Sequence, residues 1–225
     1  MSAGAPGNRL LASLSSRDRQ RLEADLEAVD LPLRRTLAQR YRRIEHVYFI
    51  DSGLASIVAD GGQPIEVGVI GLEGMSSVGV LLGNDRSAQD IYMQVAGTGR
   101  RIRAEILTSA DEQSLTLHRV LMRYVHVLMA QLAHTAQSNG KSKIEERLAR
   151  WLLLAHDRLE GDELPLTHEL LSIMLGTPRP GVTTALGHLT GEGLIETHRA
   201  KIKIVDRSGL EAKCKGIYEP PGDDS

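Results

Sequence analysis

The chain has 225 residues, with 27 basic and 29 acidic side chains and a formal net charge of −2 at pH 7. Its 41% hydrophobic and 25% charged content is typical of a folded globular protein and excludes a chain that is disordered throughout. The single cysteine, Cys214, excludes intrachain disulfides and any metal site built from several cysteines of one chain. No apolar run reaches about 18 residues and no secretory leader stands out, so we expect a cytoplasmic protein without a membrane span.

The N-terminal part of the sequence predicts one helix followed by many short strands. Residues 16–29 have the spacing of an amphipathic helix. Residues 46–58 have the pattern of two strands joined by an Asp-Ser-Gly turn, and an Asp-Gly-Gly turn follows. Apolar and polar residues alternate at 65–69 and 91–95, as in half-buried antiparallel strands. Strands repeated about every ten residues predict an antiparallel barrel or jelly roll in a first domain over residues 1–108.

A long helix is predicted over residues 109–138. Its apolar stripe advances in alternating steps of four and three residues, through Leu121, Val125, Leu128, Leu132 and Thr135. Such spacing is typical of a two-stranded coiled coil, so the stripe predicts a dimer interface; the alternative is a core helix packed within one chain. Ser138-Asn139-Gly140 is predicted to end the helix as a hinge before a second domain at 139–215 and a flexible tail at 216–225.

Residues 164–205 have the pattern of a helix-turn-helix. Thr167 is placed to cap a first helix, and Gly176 permits the sharp turn after it. Thr177 is predicted to cap a second helix over about 177–189, whose first turn tolerates two prolines. Its inward stripe is Val182, Leu186 and Leu189, which leaves Arg179, Thr183, Thr184 and His188 on the outer face.

The segment after these helices predicts a basic β-hairpin wing. Residues 194–198 and 201–205 flank the turn Arg199-Ala200. From residue 199 to 215 there are six basic residues against two acidic ones, a local excess that would neutralise DNA phosphates. The candidate DNA-binding residues are therefore Thr177, Arg179, Thr183, Thr184, His188, Arg199, Lys201 and Lys203. Among them Arg179 is the first choice for reading a base, because an arginine can donate two hydrogen bonds to guanine.

The whole pattern resembles the Crp/Fnr family of bacterial transcription regulators, most specifically in LLGNDRSAQ (81–89), IEERLARWLLLAHDRL (144–159) and LLSIMLGTPRPGVTTALGHLTGEGLI (170–195). The resemblance implies an α+β fold with a cyclic-nucleotide-binding-like β-roll, a dimerisation helix and a C-terminal winged helix that reads a palindromic operator. The implied partners are double-stranded DNA, a second copy of the chain and RNA polymerase. Arg179 falls at the family's main base-reading arginine, whereas Pro180 and Thr184 replace a Glu and an Arg of better-known members.

The resemblance also bears on a ligand site in the roll. Cyclic-nucleotide-binding members have a Gly-Glu pair, whose Glu binds the ribose, before an Arg-Ser-Ala triplet that binds the phosphate. Here Arg86 and Ser87 match the triplet, but Met75 stands at the Glu position and Glu73 lies two residues early. Glu73, Arg86 and Ser87 remain the candidate ligand-binding residues. A cyclic nucleotide is disfavoured, and we expect no cofactor, with a ligand-free roll favoured over a site for another small molecule.

The remaining chemistry of the sequence is sparse. Cys214 lies between two lysines whose charges would lower a thiol pKa, so a redox switch is a candidate role, with an unreactive thiol as the alternative. No catalytic triad, metal cluster or phosphate loop is recognisable, so neither an enzyme nor a metal site is expected. The prediction is a homodimeric, DNA-binding transcription regulator. The alternatives are a cyclic-nucleotide-gated regulator of the same architecture and a sensor or protein-interaction module that no longer binds DNA.

Overall fold

The computed structural model describes residues 7–62 and 64–218. The chain divides into two compact units. The N-terminal unit comprises Met1–Val58 and Val69–Met129, and the C-terminal unit comprises Ala59–Gly68 and Ala130–Ser225. Within the described ranges, every helix is too short or too polar to cross a membrane.

The N-terminal unit is built on an antiparallel β-roll. Its strands are β1 (Glu27–Leu31), β2 (Thr36–Ala38), β3 (His46–Ile50), β4 (Leu54–Asp60), β5 (Pro64–Ile70), β6 (Asp90–Val95) and β7 (Gly97–Arg103). They form two sheets, with strand orders β1-β7-β3 and β2-β6-β4-β5. Apolar residues of both sheets fill the core, for example Phe49, Leu54 and Met93, each with 0% exposure. The predicted roll is confirmed.

Among the described residues of this unit, four α-helices begin: α1 (Arg9–Ala12), α2 (Ser16–Glu23), α3 (Ala104–Gln113) and α4 (Leu115–Lys141), in addition to a 3₁₀ helix at Val78–Leu82. The helix predicted over 16–29 is therefore wrong beyond Glu23. Residues 27–31 instead pair with β7 along five consecutive positions, and the Arg101 guanidinium lies 2.7 Å from the Glu27 carboxylate. Pairing with a distant strand outweighs local helix propensity here.

The helix predicted over 109–138 is two helices in the structure. The chain breaks at Ser114, which has extended backbone angles. The buried Asp18 carboxylate accepts hydrogen bonds from the hydroxyls of Ser114 and Thr116, at 2.5 and 2.6 Å, and so fixes the start of α4. The predicted break at Ser138-Asn139-Gly140 is wrong, because α4 continues through it to Lys141. An interior glycine costs a helix only about 1 kcal/mol, which packing can offset.

Two faces of α4 differ in their surroundings. Leu121, Val125 and Leu128 are only 1%, 5% and 5% exposed within this single chain. Three of the five predicted dimer residues are thus core residues, as the alternative interpretation proposed, while Leu132 and Thr135 are half-buried. A second row, displaced by one residue, lies at the same steps of four and three and is more open: Met122, His126, Met129, Ala133 and Ala136. Met129 is 62% exposed.

The C-terminal unit continues with α5 (Ile144–His156), β8 (Glu163–Leu164), α6 (His168–Leu175), α7 (Arg179–Gly191), β9 (Ile195–His198), β10 (Lys201–Ile204) and α8 (Arg207–Lys213). Strand β10 lies between β8 and β9 in a small antiparallel sheet. Helix α5 packs against α6, α7 and α8. The predicted tail is wrong at its start, because Tyr218 donates a 2.7 Å hydrogen bond to Asp157; the rest of it, 219–225, lies outside the described residues.

Candidate nucleic-acid interface

Helices α6 and α7 are joined by the predicted sharp turn. The Thr167 hydroxyl accepts a hydrogen bond from the Leu170 amide at 3.2 Å, which confirms the predicted cap of α6. Gly176 then adopts φ +54°, a left-handed conformation that costs a glycine little. A three-residue connection, 176–178, leads directly into α7. The arrangement is a helix-turn-helix.

The start of α7 differs from the prediction by two residues. Pro178, not Thr177, is the N-cap, and Pro180 lies in the first turn, where a missing amide proton costs nothing. The Thr177 hydroxyl donates to the Leu175 carbonyl at 3.1 Å, and the Thr177 carbonyl accepts from Ser172 at 2.6 Å. Thr177 therefore stabilises the turn instead of capping α7.

The buried side of α7 confirms the predicted inward stripe. Val182, Leu186 and Leu189 are 0%, 2% and 0% exposed. Arg179, Thr183 and Thr184 are exposed on the other side. Within residues 7–62 and 64–218, the Arg179 side chain enters no hydrogen bond or ion pair. Arg179 is therefore a cationic, uncommitted donor group at the N-terminal end of a helix.

The other outer-face residues are partly engaged. The Thr184 hydroxyl donates to the Pro180 carbonyl at 3.0 Å. Thr183 lies 3.2 Å from the Nδ1 atom of His168, at the start of α6, a neighbour that sequence periodicity does not reveal. His188 contacts Glu145 of α5 at 2.9 Å. A hydrogen bond to its own backbone and the one with His188 lower the pKa of the Glu145 carboxyl. His188 thus fastens α7 to α5.

The predicted wing is confirmed as β9 and β10, joined at Arg199-Ala200. Two of its lysines have carboxylate partners, which the local excess of basic residues did not indicate. Lys201 lies 2.7 Å from the Glu163 carboxylate, and Lys203 lies 3.5 Å from Glu196. The lysine side chains are still 56% and 43% exposed. Exposed ion pairs of this kind contribute only about 0–1 kcal/mol, so phosphate can compete for the lysines.

One wing residue was missed by the sequence analysis. His198 ends β9 beside the turn, with its side chain 57% exposed and 3.7 Å from Glu196. Its position next to Arg199 in a basic hairpin is the signal that could have identified it. Arg199 itself is exposed and, in the part of the chain that the structure describes, makes no hydrogen bond or salt bridge. The wing turn therefore carries the freest cation of the hairpin.

Comparison with known proteins finds a similar helix-turn-helix domain and a similar regulator. Residues 146–213 match the Crp-like helix-turn-helix domain. The transcriptional regulator SdrP of Thermus thermophilus is 25% identical over 175 residues, which cover 74% of this chain and 83% of SdrP. The resemblance to the Crp/Fnr family is confirmed.

Solved structures support the same fold over most of the chain. A CRP-family transcriptional regulator from Thermus thermophilus superposes with a TM-score of 0.70 at 17% identity, covering 85% of this chain and 99% of that one. FixK2 from Bradyrhizobium japonicum superposes with a TM-score of 0.71 at 15% identity, covering 83% and 96%. At these identities the likeness concerns the fold.

The candidate ligand residues of the β-roll each make a hydrogen bond to a backbone group of the roll. The exposed Arg86 donates to the Tyr41 carbonyl at 3.0 Å, and the buried Ser87 hydroxyl donates to the Gln89 carbonyl at 2.6 Å. Glu73 accepts a 3.3 Å hydrogen bond from the Gly71 amide within its own turn. Each of the three residues is thus engaged in local loop structure.

Met75, at the position of the ribose-binding Glu, is part of the core. It has 0% exposure, and its carbonyl accepts a 2.9 Å hydrogen bond from the Tyr124 hydroxyl of α4. The Tyr124 ring lies so close to Gly74 that a Cβ atom there would come within 2.4 Å of ring carbon Cε2. Tyr124 therefore covers the Gly74–Met75 peptide from the helix side.

The redox role predicted for Cys214 is not supported by its surroundings. The side chain is fully buried at the end of α8. Burial raises the pKa of the thiol to about 12, an effect that the charge of Arg150 only partly opposes. Of the two flanking lysines, Lys213 points to Glu192 and Lys215 to Glu146, so neither stabilises a thiolate. A buried, protonated thiol is chemically unreactive.

Proposed function

We propose that this protein is a sequence-specific DNA-binding transcription regulator that acts as a homodimer on a palindromic operator, with α7 in the major groove. The observation that carries the proposal is the free Arg179 at the exposed N-terminal turn of α7. In helix-turn-helix proteins, residues near the N-terminus of the second helix contact the base edges. A guanidinium at that place can donate to both O6 and N7 of a guanine, which contributes about 1–3 kcal/mol of discrimination.

Neighbouring groups supply contacts to the DNA backbone in this proposal. Thr183 and Thr184 lie on the same exposed side of α7 as Arg179. Lys201 and Lys203 on the wing would exchange their carboxylate partners for phosphates, and the exposed Arg199 would bind a phosphate directly, with release of counterions. The resulting affinity should fall steeply with salt concentration.

A second copy of the chain is proposed to pair along the open row of α4. Met122, Met129 and Ala136 recur every seven residues, with His126 and Ala133 between them. The 3.5-residue period keeps such a row facing a partner helix, and the alanines allow close approach near the C-terminal end. A two-fold dimer would present two copies of α7 to two successive turns of the major groove, which explains the expected palindrome.

The proposal also covers the protein partner, the compartment and the role of the roll. The family resemblance implies contact with RNA polymerase and action in the cytoplasm, where the DNA lies. The roll is proposed to act without a cyclic nucleotide, because a methionine side chain cannot accept hydrogen bonds from ribose and Met75 is buried beneath Tyr124. A nucleotide-gated regulator remains the second candidate, favoured by the retained Arg86 and Ser87.

The proposal is tested by comparing Arg179→Ala with Arg103→Ala. Arg103 is 63% exposed in the N-terminal unit, so its removal changes the net charge equally. On the operator obtained by selection from random duplex DNA, Arg179→Ala should bind about tenfold more weakly or worse, and Arg103→Ala like the wild type. Affinity for unrelated DNA should be equal in both variants. An unchanged operator affinity of Arg179→Ala would contradict the assignment, and salt-independent binding of the wild type would favour a non-DNA module.

The gating alternative has its own test. Adding 3′,5′-cyclic AMP or cyclic GMP should change neither the melting temperature nor the operator affinity of the wild type. If a cyclic nucleotide raises the melting temperature or the operator affinity, and Arg86→Ala abolishes that rise, the result would favour the nucleotide-gated regulator.

A further inference from the structure

The tip of the β4–β5 hairpin, Ala59–Gly68, belongs to the same compact unit as the helix-turn-helix. At the turn of this hairpin the Gly62 amide donates to the Asp60 carboxylate at 2.8 Å. The second strand then brings Glu66 into the interior, where it is only 4% exposed. Glutamate is almost never buried to this degree unless its carboxylate is paired.

Glu66 is paired with the only tryptophan of the chain. The indole Nε1 of Trp151, on α5, donates to the Glu66 Oε1 atom at 2.5 Å. Trp151 is itself 4% exposed. A buried indole N–H usually finds a hydrogen-bond acceptor, and here the acceptor is a side-chain oxygen of Glu66. The contact therefore fixes both the hairpin tip and the rotation of α5.

The residue next to Glu66 touches the turn of the helix-turn-helix. A Cβ atom built on Gly176 would lie 3.2 Å from the Ile65 Cδ1 atom, so the isoleucine side chain rests against this turn. Gly176 sets the angle between α6 and α7 through its left-handed conformation. Two adjacent residues of one strand thus contact α5 and the connection that aims α7.

Helix α5 connects the Glu66–Trp151 contact to α7. The two helices pack together, and Glu145 of α5 binds His188 of α7 at 2.9 Å. Any rotation of α5 about its axis would move both the Trp151 and the Glu145 contacts. The position of the exposed Arg179 therefore depends on buried groups outside α7, among them Glu66 and Trp151.

We propose that Glu66 and Ile65 form a strut that positions the recognition helix, so that Glu66 is a positioning residue for operator binding. The proposal rests on the proposed function, since it concerns the same DNA interface. The strut fixes α7 in the geometry that sequence-specific contacts require. Contacts with phosphate tolerate small displacements, whereas bidentate contacts with a base do not. Loss of the strut should therefore reduce specific binding far more than non-specific binding.

The test uses four full-length variants. Glu66→Ala and Trp151→Phe each remove one partner of the hydrogen bond, and Trp151→Phe keeps an aromatic ring in the core. Glu66→Gln is the conservative variant, because its amide oxygen still accepts from the indole. Glu112→Gln is the matched control, since it removes one negative charge at an exposed position of the N-terminal unit.

Operator and random-sequence affinities are measured at one salt concentration. Glu66→Ala and Trp151→Phe should bind the operator about tenfold more weakly, with random-sequence affinity and dimerisation changed by less than about twofold. Glu66→Gln should recover most of the loss, and Glu112→Gln should match the wild type. Trp151 is the only tryptophan, so a shift of its fluorescence maximum in Glu66→Ala reports the lost contact independently of DNA.

Three results would overturn the strut. One is operator binding by Trp151→Phe and Glu66→Ala within about twofold of the wild type. Another is an equal loss of operator and random-sequence affinity, which indicates general damage to the fold. The third is Glu66→Gln behaving like Glu66→Ala. If Glu66→Ala does not fold, Trp151→Phe and Glu66→Gln decide the question. A wild type that selects no operator would instead overturn the proposed function itself.

Discussion

The packing of α4 on the roll can be tested at Gly74. A Cβ atom at this position would lie 2.3 Å from the Tyr124 Oη atom and 2.4 and 2.5 Å from two ring carbons. The ring cannot simply turn away, because Tyr124 is 6% exposed and its hydroxyl donates to the Met75 carbonyl at 2.9 Å. Gly74 is not in a left-handed conformation, so an alanine there is opposed by contact and not by backbone strain.

Gly74→Ala should therefore destabilise the protein by the amount typical of overpacking, about 1–3 kcal/mol. Urea denaturation followed by circular dichroism measures this loss. Gly79→Ala is the matched control, since its Cβ would find its nearest neighbour, the Asn84 carbonyl oxygen, at 3.6 Å. The control should change the free energy of unfolding by no more than about 0.5 kcal/mol.

A double-mutant cycle isolates the cause. Tyr124→Ala alone should cost about 3–5 kcal/mol, as large aromatic truncations do. In that background, Gly74→Ala should cost clearly less than in the wild type, because the ring that opposes the methyl group is gone. Equal stabilities of Gly74→Ala and Gly79→Ala, or strict additivity with Tyr124→Ala, would refute the packing of Tyr124 against Gly74.

Other features of the structure give three further predictions. Met129→Lys should convert the proposed dimer to a monomer in sedimentation experiments, because it introduces a charge into the open row of α4. The pKa of Asp18 is lowered: burial opposes ionisation, but hydrogen bonds from neighbouring hydroxyls outweigh it. The stabilising contribution of the Asp18 carboxylate should therefore be complete above its unfolded pKa of about 3.8 and be lost as the pH falls through its lower folded pKa. The difference in the free energy of unfolding between wild type and Asp18→Asn should accordingly narrow at acidic pH. Native Cys214 should not react with a thiol reagent at pH 8, while the urea-unfolded protein should react fully.

Each of these predictions has a contrary outcome. The control for Met129→Lys is Gln113→Lys, a change at an exposed residue that should leave the oligomeric state unaltered. A dimer that survives Met129→Lys would place the interface elsewhere. A stability gap for Asp18→Asn that is independent of pH would show that the carboxylate charge contributes nothing. Rapid modification of Cys214 in the native protein would mean that the thiol is accessible.

The helix-turn-helix was predictable because its signals are local. Gly176 marks the turn, and Val182, Leu186 and Leu189 mark the buried face within one helix. The cap of α7 was misplaced by only one residue because Thr177 uses its hydroxyl within the turn. Local rules describe such a motif well, since few of its contacts reach far along the chain.

The wrong predictions concern features that depend on contacts between residues far apart in the sequence. Periodicity along α4 fits two adjacent rows equally well, and only the roll determines that Leu121 faces inward and Met122 lies on the open row. The wing looked strongly cationic because Glu163, the partner of Lys201, is 38 residues away. Similarly, the strut contact between Glu66 and Trp151 joins residues 85 positions apart, so no local sequence motif predicts it.

The most direct test of the account is selection of random duplex DNA by the purified, full-length wild-type protein without added ligand. The account predicts an enriched inverted repeat, with half-site centres about one helical turn apart, or a multiple of it, and a recurring guanine in each half-site that is lost when Arg179→Ala is used. Absence of any enriched sequence, or enrichment of a single site without a repeat, would contradict a homodimer that reads DNA through α7.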